Sequence, residues 1–277
     1  MQTRLITRDT RAKRTALAEF RKRTCARLSS LGGQSTTHTL AAAVFAIGLG
    51  TIVSHAATPV LTAQDVGYPT LAGSMTTAAG KTTIIGGGND IWGTADNFHY
   101  AFFKVTGDFD YIVKVEDLQG PDNWTKAELM ARLPDGDVPQ GGDPHISNMT
   151  TRSGGQNELR PQWRVDRDGA SDNWAISPAV RPAYPNTWLR LQRMGSVFYQ
   201  YYSTDGTSWK EYTVASGAVV NLDTAGSKPA GGDNGTSFSQ AWPNTILLGV
   251  AVTAHNDSDA NGGKAIFSDF APHVTVP

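Results

Sequence analysis

Cysteine is almost absent from this 277-residue chain. The single Cys25 cannot close an internal disulfide or supply a thiolate metal cage, so the fold must be held by burial alone. Glutamate is scarce as well. From position 57 onward only Glu116, Glu128, Glu158 and Glu211 occur, at no spacing that would set two catalytic acids on one strand face. His99, His145, His255 and His273 are scattered without metal-ligand spacing. Gly86-Gly87-Gly88 precedes no helical pattern, which removes a phosphate-binding loop. No amphipathic helix is legible after Ala57, and the one long apolar run, Leu40 to Val53, has fourteen residues, short of the ~20 that a spanning helix needs.

That run belongs to a basic leader. Met1 to Ala56 carries nine of the 24 basic residues and two of the 25 acidic ones, and ends in Ser54-His55-Ala56, a small-residue cleavage signature. It reads as a signal segment, with an over-extended start or an uncleaved anchor as the alternative to this unusually long basic stretch, and predicts a secreted, periplasmic or cell-surface protein with no stable membrane insertion after cleavage. The remaining chain would carry 15 basic and 23 acidic residues, a net charge of −8. A surface that acidic argues against nucleic acid as a partner. Residues 57–80 read as a lead-in and 81–277 as one domain.

Within that domain, short β-branched and aromatic runs alternate with Gly, Pro, Asn and Asp clusters, which predicts an all-β protein. Strands are expected at Phe98–Val105, Tyr111–Leu118, Trp124–Leu133, His145–Thr151, Leu159–Val165, Trp188–Arg193, Val197–Ser203, Trp209–Val214, Ile246–Thr253 and Lys264–Phe270. Ten strands imply two packed sheets, a two-sheet antiparallel sandwich. Gly107-Asp108, Gly195-Ser196 and Asp205-Gly206 supply tight hairpin turns. Pro134–Pro144 and Val219–Pro243 are long polar loops of a kind that shapes binding sites.

The strand from Trp124 to Leu133 carries the most information. With a period of two, Thr125, Ala127, Leu129 and Ala131 share one small, apolar face, and Trp124, Lys126, Glu128, Met130 and Arg132 share the other. The apolar face predicts the core. The polar face, extended by Gln162 and Arg164 from a neighbouring strand, puts planar hydrogen-bonding groups beside an aromatic ring, which suits a sugar. The competing reading is a structural face laced with ion pairs, for example between Glu128 and Lys126 or neighbours of Arg164. Among the tryptophans, Trp209 is expected to pack over the Asp205-Gly206 turn, Trp92 to anchor packing with a loop sugar platform as the alternative, Trp163 and Trp188 to be core, and Trp174 and Trp242 to be the more exposed. Asp257-Ser258-Asp259-Ala260-Asn261-Gly262 fits the first half of a calcium loop, so Asp257, Asp259 and Asn261 are candidate Ca2+ ligands beside the alternative of an ordinary polar turn. Position twelve is Ser268 and the flanks read as strands, which excludes an EF-hand. No cofactor is otherwise required.

Five motifs carry a resemblance in order: Asp90-Ile91-Trp92-Gly93-Thr94-Ala95-Asp96-Asn97-Phe98, Trp124-x-Lys126-Ala127, Arg193-x-Gly195, Ser203-Thr204-Asp205-Gly206-Thr207-Ser208-Trp209, and Thr253-Ala254-His255-Asn256. From Lys81 to Phe270 the chain resembles the secreted bacterial domain of unknown function 1349, in the concanavalin A-like lectin/glucanase superfamily. The resemblance implies a jelly roll with one concave face, on which superfamily relatives often bind sugars. Glu128 departs from the glycine more usual there, the two long loops look like insertions, and the E-x-D-x-x-E pattern of the glucanase branches is missing. The sequence therefore points to a non-catalytic carbohydrate-binding or surface-interaction module whose partner is a polysaccharide or glycan surface, with Trp124, Lys126, Glu128, Arg132, Gln162 and Arg164 as ligand contacts. A glycoside hydrolase or polysaccharide lyase, and a structural envelope or adhesion domain without a small ligand, are the alternatives.

Overall fold

The computed structural model describes residues 59–152, 157–174, 180–213, 219–225, 238 and 240–273; the leader, with Cys25, lies outside them. The described residues form fifteen strands and no helix: β1 Thr62–Val66, β2 Ser74–Ala78, β3 Lys81–Gly86, β4 Phe98–Thr106, β5 Phe109–Gln119, β6 Lys126–Arg132, β7 His145–Thr151, β8 Leu159–Arg164, β9 Ser171–Asn173, β10 Thr187–Met194, β11 Val197–Ser203, β12 Lys210–Glu211, β13 Asn221–Asp223, β14 Thr245–Thr253 and β15 Gly263–Pro272. All pairings between them are antiparallel. One sheet runs β1-β4-β14-β6-β7-β8-β9, the other β12-β11-β10-β5-β15-β3-β2, with β13 added to β11. The crossovers between non-consecutive neighbours make this a jelly-roll sandwich.

The ten expected strands are present with small shifts at their ends. Val214, the last residue expected in the Trp209 strand, lies outside the described residues, and that strand shrinks to β12. The strands that pattern alone did not reveal are β1, β2, β3, β9 and β13. They are short or rich in Thr, Ser and Asp, and only their pairing partners define them. β1 and β2 fall in the 57–80 stretch read as a lead-in, and each closes an edge of a sheet. Gly195 takes positive φ in the two-residue hairpin between β10 and β11, as expected, whereas Gly107, also at positive φ, carries the chain from one sheet to the other: β4 pairs with β1 and β14 and β5 with β10 and β15, so the expected hairpin at Gly107-Asp108 is a tight turn between the sheets. Gly206 also has positive φ, and its missing side chain makes room for the ring of Trp188. That ring therefore covers the turn from a half-buried outer position, in place of the core position and the Trp209 contact expected from sequence. Trp209 instead meets His273 edge-on at 5.5 Å.

β6 shows why one sheet is buried on both sides. Ala127, Leu129 and Ala131 enter the core between the sheets, beside Leu248 and Val250 of β14 and Val113, Leu189 and Phe267 of the second sheet. The opposite face packs a second apolar cluster of Phe98, Tyr100, Phe102, Met130, Leu247 and Ala251, over which Val66 and Ile91 fold. A strand buried on both faces must satisfy every polar group it carries internally, and this requirement organises the loops above it.

Candidate functional site

Two loops cover the outer face of β6, β7 and β8. The first, 87–97, is tied at its base where Asn97 N donates to Asp90 O at 2.8 Å. Lys126 Nζ reaches up from β6 to Asp90 Oδ1 at 2.6 Å and Ile91 O at 3.1 Å. Gln162 Nε2 donates to the same Ile91 carbonyl at 2.8 Å. Arg164 donates to the carbonyls of Trp92 and Gly93 at 3.4 and 3.1 Å. The second loop, Pro134–Pro144, is gripped from beneath: Arg132 donates to the carbonyls of Gln140 and Gly141, and Arg164 to those of Gly141 and Asp143. Between the loops Asp96 bridges both guanidinium groups, 2.7 Å from Arg132 Nη1 and 2.5 Å from Arg164 Nη2. Charge-assisted bonds of this kind supply the countercharge that sealed arginines require.

Where the cover ends, a cleft of about 340 Å³ opens, lined by Asp90, Trp92, Trp124, Lys126, Met149, Gln162, Asn173 and His255. Trp92, at 38% exposure, is one of the few large apolar side chains the domain leaves in solvent. Trp124 is half-buried, its amide held by Asp122 Oδ1 at 2.7 Å. Each ring carries a cation over it, Lys126 Nζ 5.6 Å from the Trp92 centroid and Arg160 5.2 Å from that of Trp124. His255, just past β14, sits between two carboxylates, Nε2 3.3 Å from Asp90 and Nδ1 3.0 Å from Asp122. The Asp90 contact, opposed by burial and helped by Asp122, raises its pKa above the ordinary 6.5. Burial would raise the Asp90 carboxyl, but the hydrogen bond from His255 and the Lys126 charge outweigh it and hold Asp90 below its usual range. The cleft is therefore two indole rings around an ionised, already paired carboxylate.

The residues singled out from sequence divide. Trp124, Lys126 and Gln162 line the cleft, although Lys126 and Gln162 direct their polar atoms at the loop carrying Trp92. Glu128, Arg132 and Arg164 do not reach it; all three are fully buried beneath the loops. The ion pair expected for Glu128 is replaced: Lys126 pairs with Asp90 and Arg164 with Asp96. Among the described residues neither Glu128 oxygen has a partner in good hydrogen-bond geometry, and burial, only partly offset by the Lys126 charge and the nearby Ser147 hydroxyl, pushes its carboxyl up to about 7. His145 is driven well below 6.5 by the same burial and by Arg164 and Arg132. Trp242 packs in the core against Phe198 and Phe238, and Trp174 lies on Trp163 with centroids 6.3 Å apart, so neither is the exposed ring expected.

Asp90, Trp92, Met149, Asn173 and His255 complete the cleft. Asp90, Trp92 and His255 stand in two of the motifs that carried the family resemblance, but on loops where no periodicity marks a face. In the Asp257 loop, Asp257 accepts from Thr70 N and Oγ1, both at 2.8 Å, and Asp259 from the amides of Asn261 and Gly262. Those oxygens cap backbone and side-chain donors, and no group of three His, Cys, Asp or Glu side chains among the described residues is arranged to hold a metal ion. No helix among the described residues is long and apolar enough to cross a membrane.

The site thus belongs to a jelly-roll sandwich with an aromatic cleft at one end of a sealed sheet face. No protein-family model and no curated protein matches the chain. Among solved structures it is similar to a functionally unknown protein from Saccharomyces cerevisiae (17% identity, TM-score 0.49, covering 79% of this chain and 98% of that one). It is also similar to the kappa-carrageenase of Pseudoalteromonas carrageenovora in complex with an oligotetrasaccharide of kappa-carrageenan (10%, 0.39, 76% and 87%). A lectin from Bauhinia forficata in complex with GalNAc is a third (9%, 0.37, 76% and 93%). At such identities and scores the architecture rests on the strand order and register described above.

Proposed function

We propose that this chain is an exported, non-catalytic glycan-binding module that takes its ligand in the cleft between Trp92 and Trp124. The observation that carries the reading is the pair of indole rings at one opening, with Asp90, Asn173 and His255 offering polar atoms between them. Flat aromatic faces match the C–H faces of a pyranose, and the polar groups between them match its hydroxyls. Export follows from the basic leader, and the five motifs keep the domain of unknown function 1349 as the finer family expectation.

Hydrolysis by two carboxylates needs an acid with a raised pKa and a second carboxyl across the scissile bond. Among the described residues that line it, the cleft has one carboxylate, Asp90, held ionised by its partners. The raised carboxyl, Glu128, is sealed away from the opening. A structural module without a small ligand is the second reading, favoured by the burial of Glu128, Arg132 and Arg164.

On a glycan array, the wild type is expected to retain at least one plant or bacterial polysaccharide. Trp92→Ala and Trp124→Ala should each weaken that binding at least tenfold, about 1.4 kcal/mol, in keeping with tryptophan's weight at binding surfaces. No retention by the wild type, or equal retention by both variants, would leave the structural module standing instead.

A further inference from the structure

Beyond His255 the surface dips again into a second depression of about 670 Å³, lined by Thr70, Asn89, Asp122, Asn256 and Ser258 as well as by Asp257 and His255 itself. His255 is thus shared between the two hollows, and its two carboxylate partners fall one on each side, Asp90 in the cleft and Asp122 in the second depression. The ridge is held in place. His255 has a left-handed backbone, φ 56°, which a non-glycine residue adopts only where its surroundings impose it. The surroundings do so here: the amides on either side donate to the glycine-rich strand end, Ala254 N to Gly87 O at 3.3 Å and Asn256 N to Gly88 O at 3.2 Å.

We infer that the cleft and the depression beyond His255 are two subsites of one groove, and that the ligand is a neutral oligosaccharide segment that crosses the imidazole ridge. This rests on the reading of the Trp92–Trp124 cleft as a glycan site. The first hollow, about 340 Å³, lies at the low end of the ~300–1,000 Å³ of ordinary ligand sites, so a ligand longer than it holds must continue over His255. The far wall is built for hydroxyls. Thr70 fixes the Asp257 carboxylate, Ser258 fixes Asn256 Oδ1 at 2.8 Å, and the amide groups of Asn89 and Asn256 Nδ2 make no internal hydrogen bond among the described residues.

Charge selects the class. Among the described residues the only basic side chain lining the far hollow is His255, which two carboxylates already hold, and the Lys126 ammonium in the near hollow is occupied by Asp90, Ile91 and Gln162. A uronate or sulfate would meet the carboxylates of Asp122 and Asp257 with no free cation among the described lining residues to receive it.

The test is calorimetric titration of the full chain with neutral gluco- and manno-oligosaccharides of one to six residues, and with oligogalacturonates of the same lengths. Affinity is expected to rise at least tenfold as the neutral series outgrows the near hollow. Ser258→Phe, an exposed position that fills the far hollow, should abolish that rise while leaving the affinity for the shortest bound sugar unchanged. Asn89→Ala should reduce the rise several-fold. A rise that survives Ser258→Phe, or no dependence on length, overturns the second subsite while the cleft stands. Tighter binding of the oligogalacturonates overturns the neutral class. Absence of binding by every sugar, with the Trp92→Ala protein indistinguishable from wild type on the array, overturns the cleft and the subsite together.

Discussion

Asp96→Asn is expected to cost the domain about 3–5 kcal/mol, the effect of leaving a buried charge without its partner. Asp96 stands between two fully buried guanidinium groups, and among the described residues no other carboxylate pairs with Arg164. Asp143 lies 3.7 Å from Arg132 Nε and its other oxygen is engaged by Arg167. The amide retains the shape and removes the countercharge, so two cations would face one another in a sealed space. Urea denaturation should show a lower midpoint with an unchanged slope, because the surface exposed on unfolding is the same. The pairing also predicts non-additivity: adding Arg132→Met to Asp96→Asn should restore part of the loss, since one of the two cations left short of countercharge is removed. A loss below about 1 kcal/mol in Asp96→Asn, or strict additivity in the double variant, would mean that the loops and not the ion pairs hold the sheet face closed.

Glu128→Gln should act in the opposite direction, and only at higher pH. The carboxyl is fully buried with no partner in good hydrogen-bond geometry among the described residues, and burial outweighs Lys126 and Ser147 to raise its pKa from 4.5 to about 7. A folded-state pKa above the unfolded one gives a contribution fully present below pH 4.5 and lost as the pH rises through 7, because the native state must then ionise a buried group. At 1.36 kcal/mol per pKa unit the loss is about 3 kcal/mol by pH 8. Glutamine carries no charge to bury. The variant should therefore melt roughly 6–12 °C above wild type at pH 8, on 2–4 °C per kcal/mol for a domain of this size, and close to wild type at pH 4.5. His255 adds a slope of the same sign, since its pKa is also raised and its ion pairs are present below 6.5 and lost as the pH climbs through the folded value. That part should remain in Glu128→Gln. Equal melting differences at pH 4.5 and pH 8 would exclude ionisation of Glu128 as the cause.

The apolar half of β6 was legible from its spacing, because alternation is a local property and a one-residue error would turn Ala127, Leu129 and Ala131 out of the core. The same spacing placed Lys126, Glu128 and Arg132 together on the other face, and they do share it. What spacing could not supply was the cover. The sequence favours a packing anchor at Trp92 over a loop platform, and its ring is exposed, whereas Trp242, in a long polar loop, is core. Both positions lie on loops, whose course is set by what they meet and not by a repeat along the chain.

The sequence by itself therefore determined the all-β architecture, most strands, the tight turns and the core face of β6, since each depends on residues within a few positions of one another. The tertiary structure alone decided which polar residues meet solvent. Arg164 finds Asp96 across 68 positions and Gln162 finds the Ile91 carbonyl across 71. A charge on a strand face is a ligand contact or a sealed ion pair according to which distant loop returns to cover it, because burial demands a partner that no local pattern specifies.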